Sequence, residues 1–220
     1  SWSKKNLIVC PSNWLKSCVV QSELMSSWPV HTIPHTLPVD IYKPLQKNIA
    51  REILNFPKDK KLVLFGALNP TKDKNKGWEI LKLALKKLSK NISSIEAIVF
   101  GTSEPNNFPD LGMPINFIGR LYDDQTLAIV YSAADVMVVP SYMESFGQTA
   151  SEAQACGLPV VAFDATGLKD IVSHKKTGYL AKPYDWEDIY EGIKWILINK
   201  KRINFEKQSR FRAKKLWSPG

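Results

Sequence analysis

From about residue 60 onward, short runs of apolar and β-branched residues alternate with longer segments whose apolar residues recur at helical spacing. Such alternation is typical of βαβ units, in which helices join parallel strands. The predicted strands are residues 62–65, 95–101, 115–119, 135–140, 159–163 and 178–180. The predicted helices are residues 76–90, 127–134, 147–156 and 189–197. We therefore predict an α/β fold with a Rossmann-like parallel sheet and flanking helices. Its ligand site is expected beyond the carboxyl ends of the first four strands.

The first 50 residues depart from this alternation. They contain a predicted strand, turn and helix in residues 6–22 and another strand in residues 30–35. We divide the chain into an entry segment (1–50), the Rossmann-like domain (51–200) and a truncated basic helical tail (201–220). Because the chain opens within a pattern and lacks an initiator Met, we expect a fragment of a longer protein.

The formal net charge of +9 favours an anionic partner. Nucleic acid, a membrane surface and a phosphorylated small molecule all meet this criterion. Aromatic residues are not interleaved with the basic ones, so we expect no nucleic acid. The sequence has neither an apolar run of about 18 residues nor a signal-peptide pattern, which favours a cytoplasmic location.

Two glutamates, Glu144 and Glu152, flank the start of the predicted helix 147–156. Seven positions along a helix make about two turns and a rise of about 10 Å. Glu152, seven positions after Ser145, is therefore expected on the same side of the helix as Ser145. Ser145 and Gln148 have the spacing of a capping box, with Ser145 as the N-cap residue. The segment thus predicts a carboxylate at each end of a short helical surface.

The same helix start predicts an anion site. The first-turn N–H groups of Phe146, Gly147 and Gln148 are expected to point toward a diphosphate at the positive end of the helix dipole. Gly147 permits a close approach of the backbone. A capping box would use one of these N–H groups, so the anion would depend on the others.

The segment from Glu144 to Glu152, Glu-Ser-Phe-Gly-Gln-Thr-Ala-Ser-Glu, resembles the E-x7-E motif of the family-4 retaining glycosyltransferases. The match continues through Gly157 and Pro159 to Gly167 and covers some forty residues. Weaker similarity extends over almost all of the chain. The resemblance implies the carboxyl-terminal, nucleotide-sugar-binding half of a GT-B fold enzyme.

The resemblance also implies roles for individual residues. The first glutamate of the motif binds hydroxyls of the donor sugar and the second binds the ribose, which assigns these roles to Glu144 and Glu152. The lysine in the loop after the first strand contacts the diphosphate, and Lys76 matches it. Glu144 and Lys76 are therefore the predicted catalytic residues. The other predicted donor-binding residues are Ser145, Phe146, Gly147, Gln148, Gly66, Arg120 and Leu121.

The chain departs from the family in one position. An arginine usually follows the glycine of the first strand, whereas Ala67 follows Gly66 here. Lys72, Lys74 and Arg120 are candidates for the missing charge. A D-x-D motif, typical of metal-dependent glycosyltransferases, is absent from the sequence. We expect metal-independent transfer that needs no cofactor besides the nucleotide-diphosphate sugar.

The resemblance implies a hexosyltransferase of polysaccharide or glycolipid biosynthesis that retains the anomeric configuration. A missing amino-terminal domain would hold the acceptor, a glycan or lipid-linked sugar, so this chain alone is expected to be inactive. Peripheral contact with the inner face of the membrane fits the basic surface. Three alternatives stay open: a nucleotide-sugar epimerase of the GT-B type, a non-catalytic nucleotide-sugar-binding module and, on charge alone, a nucleic-acid-binding domain.

Overall fold

A computed structural model describes residues 6–66, 68–69, 72–106, 108–199 and 202–219. Its strands are β1 (Ile8–Cys10), β2 (Val30–Thr32), β3 (Lys61–Gly66), β4 (Ile95–Phe100), β5 (Ile115–Phe117), β6 (Val136–Val139), β7 (Val160–Phe163) and β8 (Gly178–Ala181). Its α-helices are α1 (Asn13–Val20), α2 (Lys47–Ile53), α3 (Trp78–Asn91), α4 (Asp124–Ala133), α5 (Gln148–Ala155), α6 (Leu168–Ile171), α7 (Trp186–Ile198) and α8 (Arg202–Trp217).

The main sheet has six parallel strands in the order β5-β4-β3-β6-β7-β8. This order confirms the predicted Rossmann-like fold and each of its strands. Strands β4 and β5 are added on one side of β3, and β6, β7 and β8 are then added on the other side of β3. The crevice between the carboxyl ends of β3 and β6 is therefore the topological switch point, where sheets of this kind bind ligands.

Helices cover both faces of the sheet. Leucines of α3 and isoleucines of α7 form one core with Val63 and Val161 of the sheet. Side chains of α2, α4, α5 and α8 form the other core with Leu62 and Leu64. The alternation of β3 residues between the two cores follows from the pleat of a strand buried on both faces. The predicted stop of α5 is also confirmed, since Gly157 has a left-handed φ of +78°.

The entry segment forms its own small sheet, in which β1 and β2 pair in parallel. The chain returns to this region at its end: the Leu37 N–H donates to the Trp217 carbonyl oxygen at 2.7 Å. Arg210 of α8 donates to the carbonyl oxygens of Val39 and Tyr42 at 2.9 and 2.6 Å. The division into 1–50, 51–200 and 201–220 stays a prediction. Of the described helices, none is both long enough and apolar enough to span a bilayer.

Gly77 allows the loop after β3 to lie against the end of β6. Its φ is +70°, and a Cβ atom at this position would overlap the Pro140 carbonyl oxygen. A residue with a side chain would therefore push the two loops apart at the switch point.

Replacing Gly77 by Ala should lower the free energy of unfolding more than replacing Gly119 by Ala. Both glycines have a left-handed φ, +70° and +72°, but a Cβ at Gly119 would meet no atom within 4 Å. Gly119→Ala should lose only the backbone term of about 1–2 kcal/mol. Gly77→Ala should lose about 1–3 kcal/mol more through overlap. Urea unfolding measures both, and equal losses would contradict the close contact.

Candidate functional site at the topological switch point

The loops after β3 and β6 bring Lys76 and Glu144 into direct contact. Lys76 ends a 3-10 turn, Lys74–Lys76, and its Nζ donates to Glu144 Oε1 at 2.7 Å. Their side chains are 21% and 20% exposed, so the pair is sheltered but open to a ligand. The structure thus joins the two predicted catalytic residues, which lie 68 positions apart in sequence. Such a charge-assisted hydrogen bond is stronger than one between neutral groups.

Asn75 fixes the register of these two loops. Its amide nitrogen donates to the Met143 carbonyl oxygen at 2.8 Å, and its amide oxygen accepts from the Met143 N–H at 2.9 Å. The Tyr142 N–H donates to the Asn75 carbonyl oxygen at 2.8 Å. Because Asn75 precedes Lys76 and Met143 precedes Glu144, these bonds place the ion-pair partners opposite each other. Sequence reasoning missed Asn75, since its distant partners are main-chain groups and leave no side-chain pattern.

The predicted capping box of Ser145 and Gln148 is wrong. Helix α5 begins at Gln148, and its N-cap residue is Gly147, which makes no side-chain cap hydrogen bond. Gly147 has a φ of +99°, and it turns the chain into the helix two residues later than the capping box requires. Ser145 therefore lies outside the cap.

The N–H groups around the start of α5 are consequently available. Within the described residues, those of Phe146, Gly147 and Gln148 donate to no acceptor in the protein. They lie at the positive end of the helix dipole, where an anion is stabilised. The Phe146 side chain is buried against the rings of His35 and Trp217, so this residue presents its main chain to a ligand.

Glu152 lies in the second turn of α5 and is only 6% exposed. The hydroxyl of Tyr131, on α4, donates to Glu152 Oε2 at 2.9 Å. Burial raises the pKa of Glu152 to about 6, and hydrogen bonds from Tyr131 and Gln148 oppose this rise. Glu152 is therefore mostly ionised at neutral pH and gains its proton in mildly acidic solution.

The other predicted donor residues lie near the ends of β3 and β5. A Cβ atom on Gly66 would overlap the Phe100 ring, so this glycine lets β3 end against the neighbouring strand. Arg120 is exposed and its guanidinium lies 5.4 Å from the centre of the Tyr122 ring. Leu121 is half-buried and packs against the core.

A cleft of about 720 Å³ opens at the carboxyl ends of β3 and β4. Lys72 and Arg120, two candidates for the missing charge, both line it. Lys76 and Glu144 do not line this cleft, so the predicted residues form two groups at the same edge of the sheet. Ala67, the position of the usual arginine, lies outside the described residues.

No group of three or more His, Cys, Asp or Glu side chains in the described part of the chain is arranged to hold a metal ion. The switch point instead carries a lysine–glutamate ion pair, free helix N–H groups and a buried carboxylate. A doubly wound sheet with this set of groups defines a ligand-binding α/β domain of the Rossmann type.

Comparison with known proteins identifies the family. The family model described as "Glycosyl transferases group 1" matches residues 46–215. D-inositol 3-phosphate glycosyltransferase of Mycobacteroides abscessus is 32% identical over 74% of the chain and 38% of its own length. Sucrose-phosphate synthase from Thermosynechococcus elongatus is 28% identical, with a TM-score of 0.84 over 99% of this chain and 55% of that one. Anabaena HepE, crystallised with UDP-glucose, is 19% identical, with a TM-score of 0.78 over 96% and 60%.

The chain belongs to the group 1 glycosyl transferases, and its fold is that of a Rossmann-like domain of GT-B glycosyltransferases. It spans 38% of the length of its mycobacterial relative.

The buried Glu152 should make stability depend on pH. Its pKa in the folded protein, about 6, exceeds the ordinary value of 4.5, so the folded state holds the proton more tightly than the unfolded state. The contribution of Glu152 to stability therefore falls as pH rises from about 4.5 to about 6. Relative to Glu152→Gln, the wild type should lose about 2 kcal/mol of unfolding free energy between about pH 4 and pH 7.5.

Urea unfolding at both pH values measures this difference. Glu23→Gln, which removes one negative charge from an exposed turn, controls for the change in net charge. If the difference in unfolding free energy between the wild type and Glu152→Gln stays constant with pH, the raised pKa of the buried Glu152 carboxyl group is contradicted.

Proposed function

We propose that this domain binds a nucleotide-diphosphate sugar across the switch point and that the full-length protein transfers the sugar to an acceptor with retention of anomeric configuration. The observation that carries the proposal is the contact of Lys76 with Glu144 next to the free N–H groups of α5. These groups supply the positive charge that a diphosphate needs and a carboxylate that accepts from sugar hydroxyls.

The length of α5 fits such a donor. Glu152 is four positions after Gln148, so it lies about 6 Å along the axis from the helix start. A diphosphate at the helix start would place its ribose near Glu152 and its sugar near Glu144. The cleft lined by Gly101 and Arg120 has room for the base beyond the ribose. The UDP-glucose bound by HepE, a protein of the same fold, supports a ligand of this class.

The ion pair has a specific electrostatic purpose in this proposal. An unpaired Glu144 would repel a diphosphate, whereas the Lys76–Glu144 pair carries no net charge. When the donor binds, the Lys76 ammonium donates one of its hydrogen bonds to the diphosphate, and Glu144 accepts a hydrogen bond from a sugar hydroxyl. Lys76 then offsets the negative charge that develops on the departing nucleotide, without a metal ion.

Retention follows if the acceptor attacks from the face that the nucleotide leaves, with a diphosphate oxygen taking the acceptor proton. Glu144 then orients the sugar and forms no covalent intermediate. The acceptor, a glycan or lipid-linked sugar, is held by the remainder of the full-length protein. The names of the inositol-phosphate and sucrose-phosphate relatives support sugar transfer in biosynthesis. The net charge of +9 supports peripheral contact with an anionic membrane face.

Calorimetric titration with UDP, GDP and ADP should detect binding of at least one of them. For that nucleotide, Lys76→Ala should weaken diphosphate binding by about tenfold or more and leave the affinity for the nucleoside unchanged, because only the phosphates lose a cation. Lys86→Ala removes the same charge from an exposed position on α3 and should have little effect. Equal losses for nucleoside and diphosphate, or binding of none of the three nucleotides, would contradict the proposed donor site.

Glu144→Gln should separate nucleotide binding from transfer. The substitution keeps the shape of the side chain and removes the charge that occupies Lys76, so diphosphate affinity should stay equal or increase. Transfer by the full-length protein should fall by about a hundredfold, because the hydroxyls of the donor sugar lose their hydrogen bond to a charged carboxylate. Product analysis by chromatography measures transfer. Full activity in Glu144→Gln would remove Glu144 from the reaction.

A further inference from the structure

The hydroxyl of Tyr131 is enclosed by protein and points at Glu152. Tyr131 is 0% exposed, and its ring packs edge-on against Phe100 with centroids 6.0 Å apart and against Tyr42 at 6.3 Å. Two aromatic neighbours fix the ring, so the hydroxyl has a fixed direction. Its hydrogen bond to Glu152 Oε2 is 2.9 Å long. A buried tyrosine hydroxyl needs such a partner, and so does a buried carboxylate.

Among the described residues, none of the groups that act on the pKa of Glu152 is a cation. Tyr131 and Asp124 approach Glu152 from α4, Tyr42 from the segment before α2, Gln148 from α5 and Cys156 from the C-cap of α5. Asp124 accepts from the Tyr42 hydroxyl at 2.9 Å and disfavours a second negative charge nearby.

Arg210 of α8 donates to the Ala155 carbonyl oxygen at 2.9 Å, and its charge acts on the Cys156 thiol. Within the described residues, neutral hydrogen-bond donors therefore offset the burial of the Glu152 carboxylate, and among them the Tyr131 hydroxyl donates to it at 2.9 Å.

We propose that Tyr131 is a positioning residue for nucleotide recognition: its hydroxyl orients the Glu152 carboxylate and keeps it ionised for the ribose hydroxyls. This inference rests on the proposed function, in which Glu152 binds the ribose. A ribose hydroxyl donates to an ionised carboxylate, whereas a protonated one would present a competing hydrogen. Tyr131 thus acts through Glu152 and does not touch the donor.

Tyr131→Phe tests the inference, because it removes one oxygen atom and keeps the packing of the ring. UDP binding is measured by calorimetry from pH 5.5 to 8.5 in the wild type, Tyr131→Phe and Glu152→Gln. The phosphates of UDP titrate in every sample, so differences between variants report the protein. Tyr179→Phe is the matched control, since the Tyr179 hydroxyl makes a hydrogen bond of the same type and length, 2.9 Å, to Asp188.

Wild-type affinity should rise with pH as Glu152 ionises. In Tyr131→Phe this rise should move to higher pH by about one unit, because the lost hydrogen bond favoured the charged form. The variant should therefore bind several-fold more weakly near pH 6.5 and approach the wild type near pH 8.5. In the Glu152→Gln background, Tyr131→Phe should cause no further shift. Tyr179→Phe should follow the wild-type curve.

A loss of affinity that is equal at all pH values, or an unshifted curve, would overturn the inference and leave the proposed function intact. An affinity that Glu152→Gln does not change would instead overturn the ribose role of Glu152. Carbon-13 NMR titration of the Glu152 carboxyl group, without ligand, gives a second readout. Its midpoint should be higher in Tyr131→Phe than in the wild type, and identical midpoints would contradict the role of Tyr131 even if no UDP binds.

Discussion

The hydrogen-bonded ion pair of Lys76 and Glu144 is the interaction on which the site depends, because it joins two loops that follow different strands. Those loops meet only because β3 and β6 are neighbours in a sheet whose order reverses between them. Gly77 lets the loops touch, and Asn75 sets which residues face each other. The strand order, Gly77 and Asn75 together bring Lys76 and Glu144, which are distant in sequence, into contact.

Charge is balanced differently at the two ends of α5. Before its start, Glu144 remains accessible and its charge is neutralised by Lys76, as the proposed binding of a diphosphate requires. In its second turn, Glu152 is buried and is stabilised by neutral donors, chiefly Tyr131. Glu144 is accessible and paired with a lysine, whereas Glu152 is enclosed and hydrogen-bonded to a tyrosine. This difference agrees with the proposal that the two carboxylates bind different hydroxyl groups of one donor. In the proposed binding mode, both carboxylates would contact a donor whose diphosphate lies at the free N–H groups of the helix start.

Much of the fold was predictable, since buried parallel strands appear as short apolar runs and amphipathic helices as periodic ones. The contact between Glu144 and Lys76 was not, because spacing along one chain carries no information on which loops meet. The capping box failed since Gly147 adopts a left-handed conformation that shifts the helix start. Asn75 and Tyr131 escaped for related reasons. Asn75 binds main-chain atoms, which leave no pattern in the sequence. Tyr131 belongs to the apolar stripe of α4, so the sequence gives no sign that its hydroxyl binds Glu152.

A crystal structure of this chain soaked with UDP tests the central claim most directly. The diphosphate should lie within hydrogen-bonding distance of the N–H groups of Phe146, Gly147 and Gln148 and of Lys76 Nζ, with the ribose hydroxyls on Glu152. Density for the nucleotide elsewhere, for example in the apolar groove between α8 and Leu45, with the switch point unchanged, would contradict it.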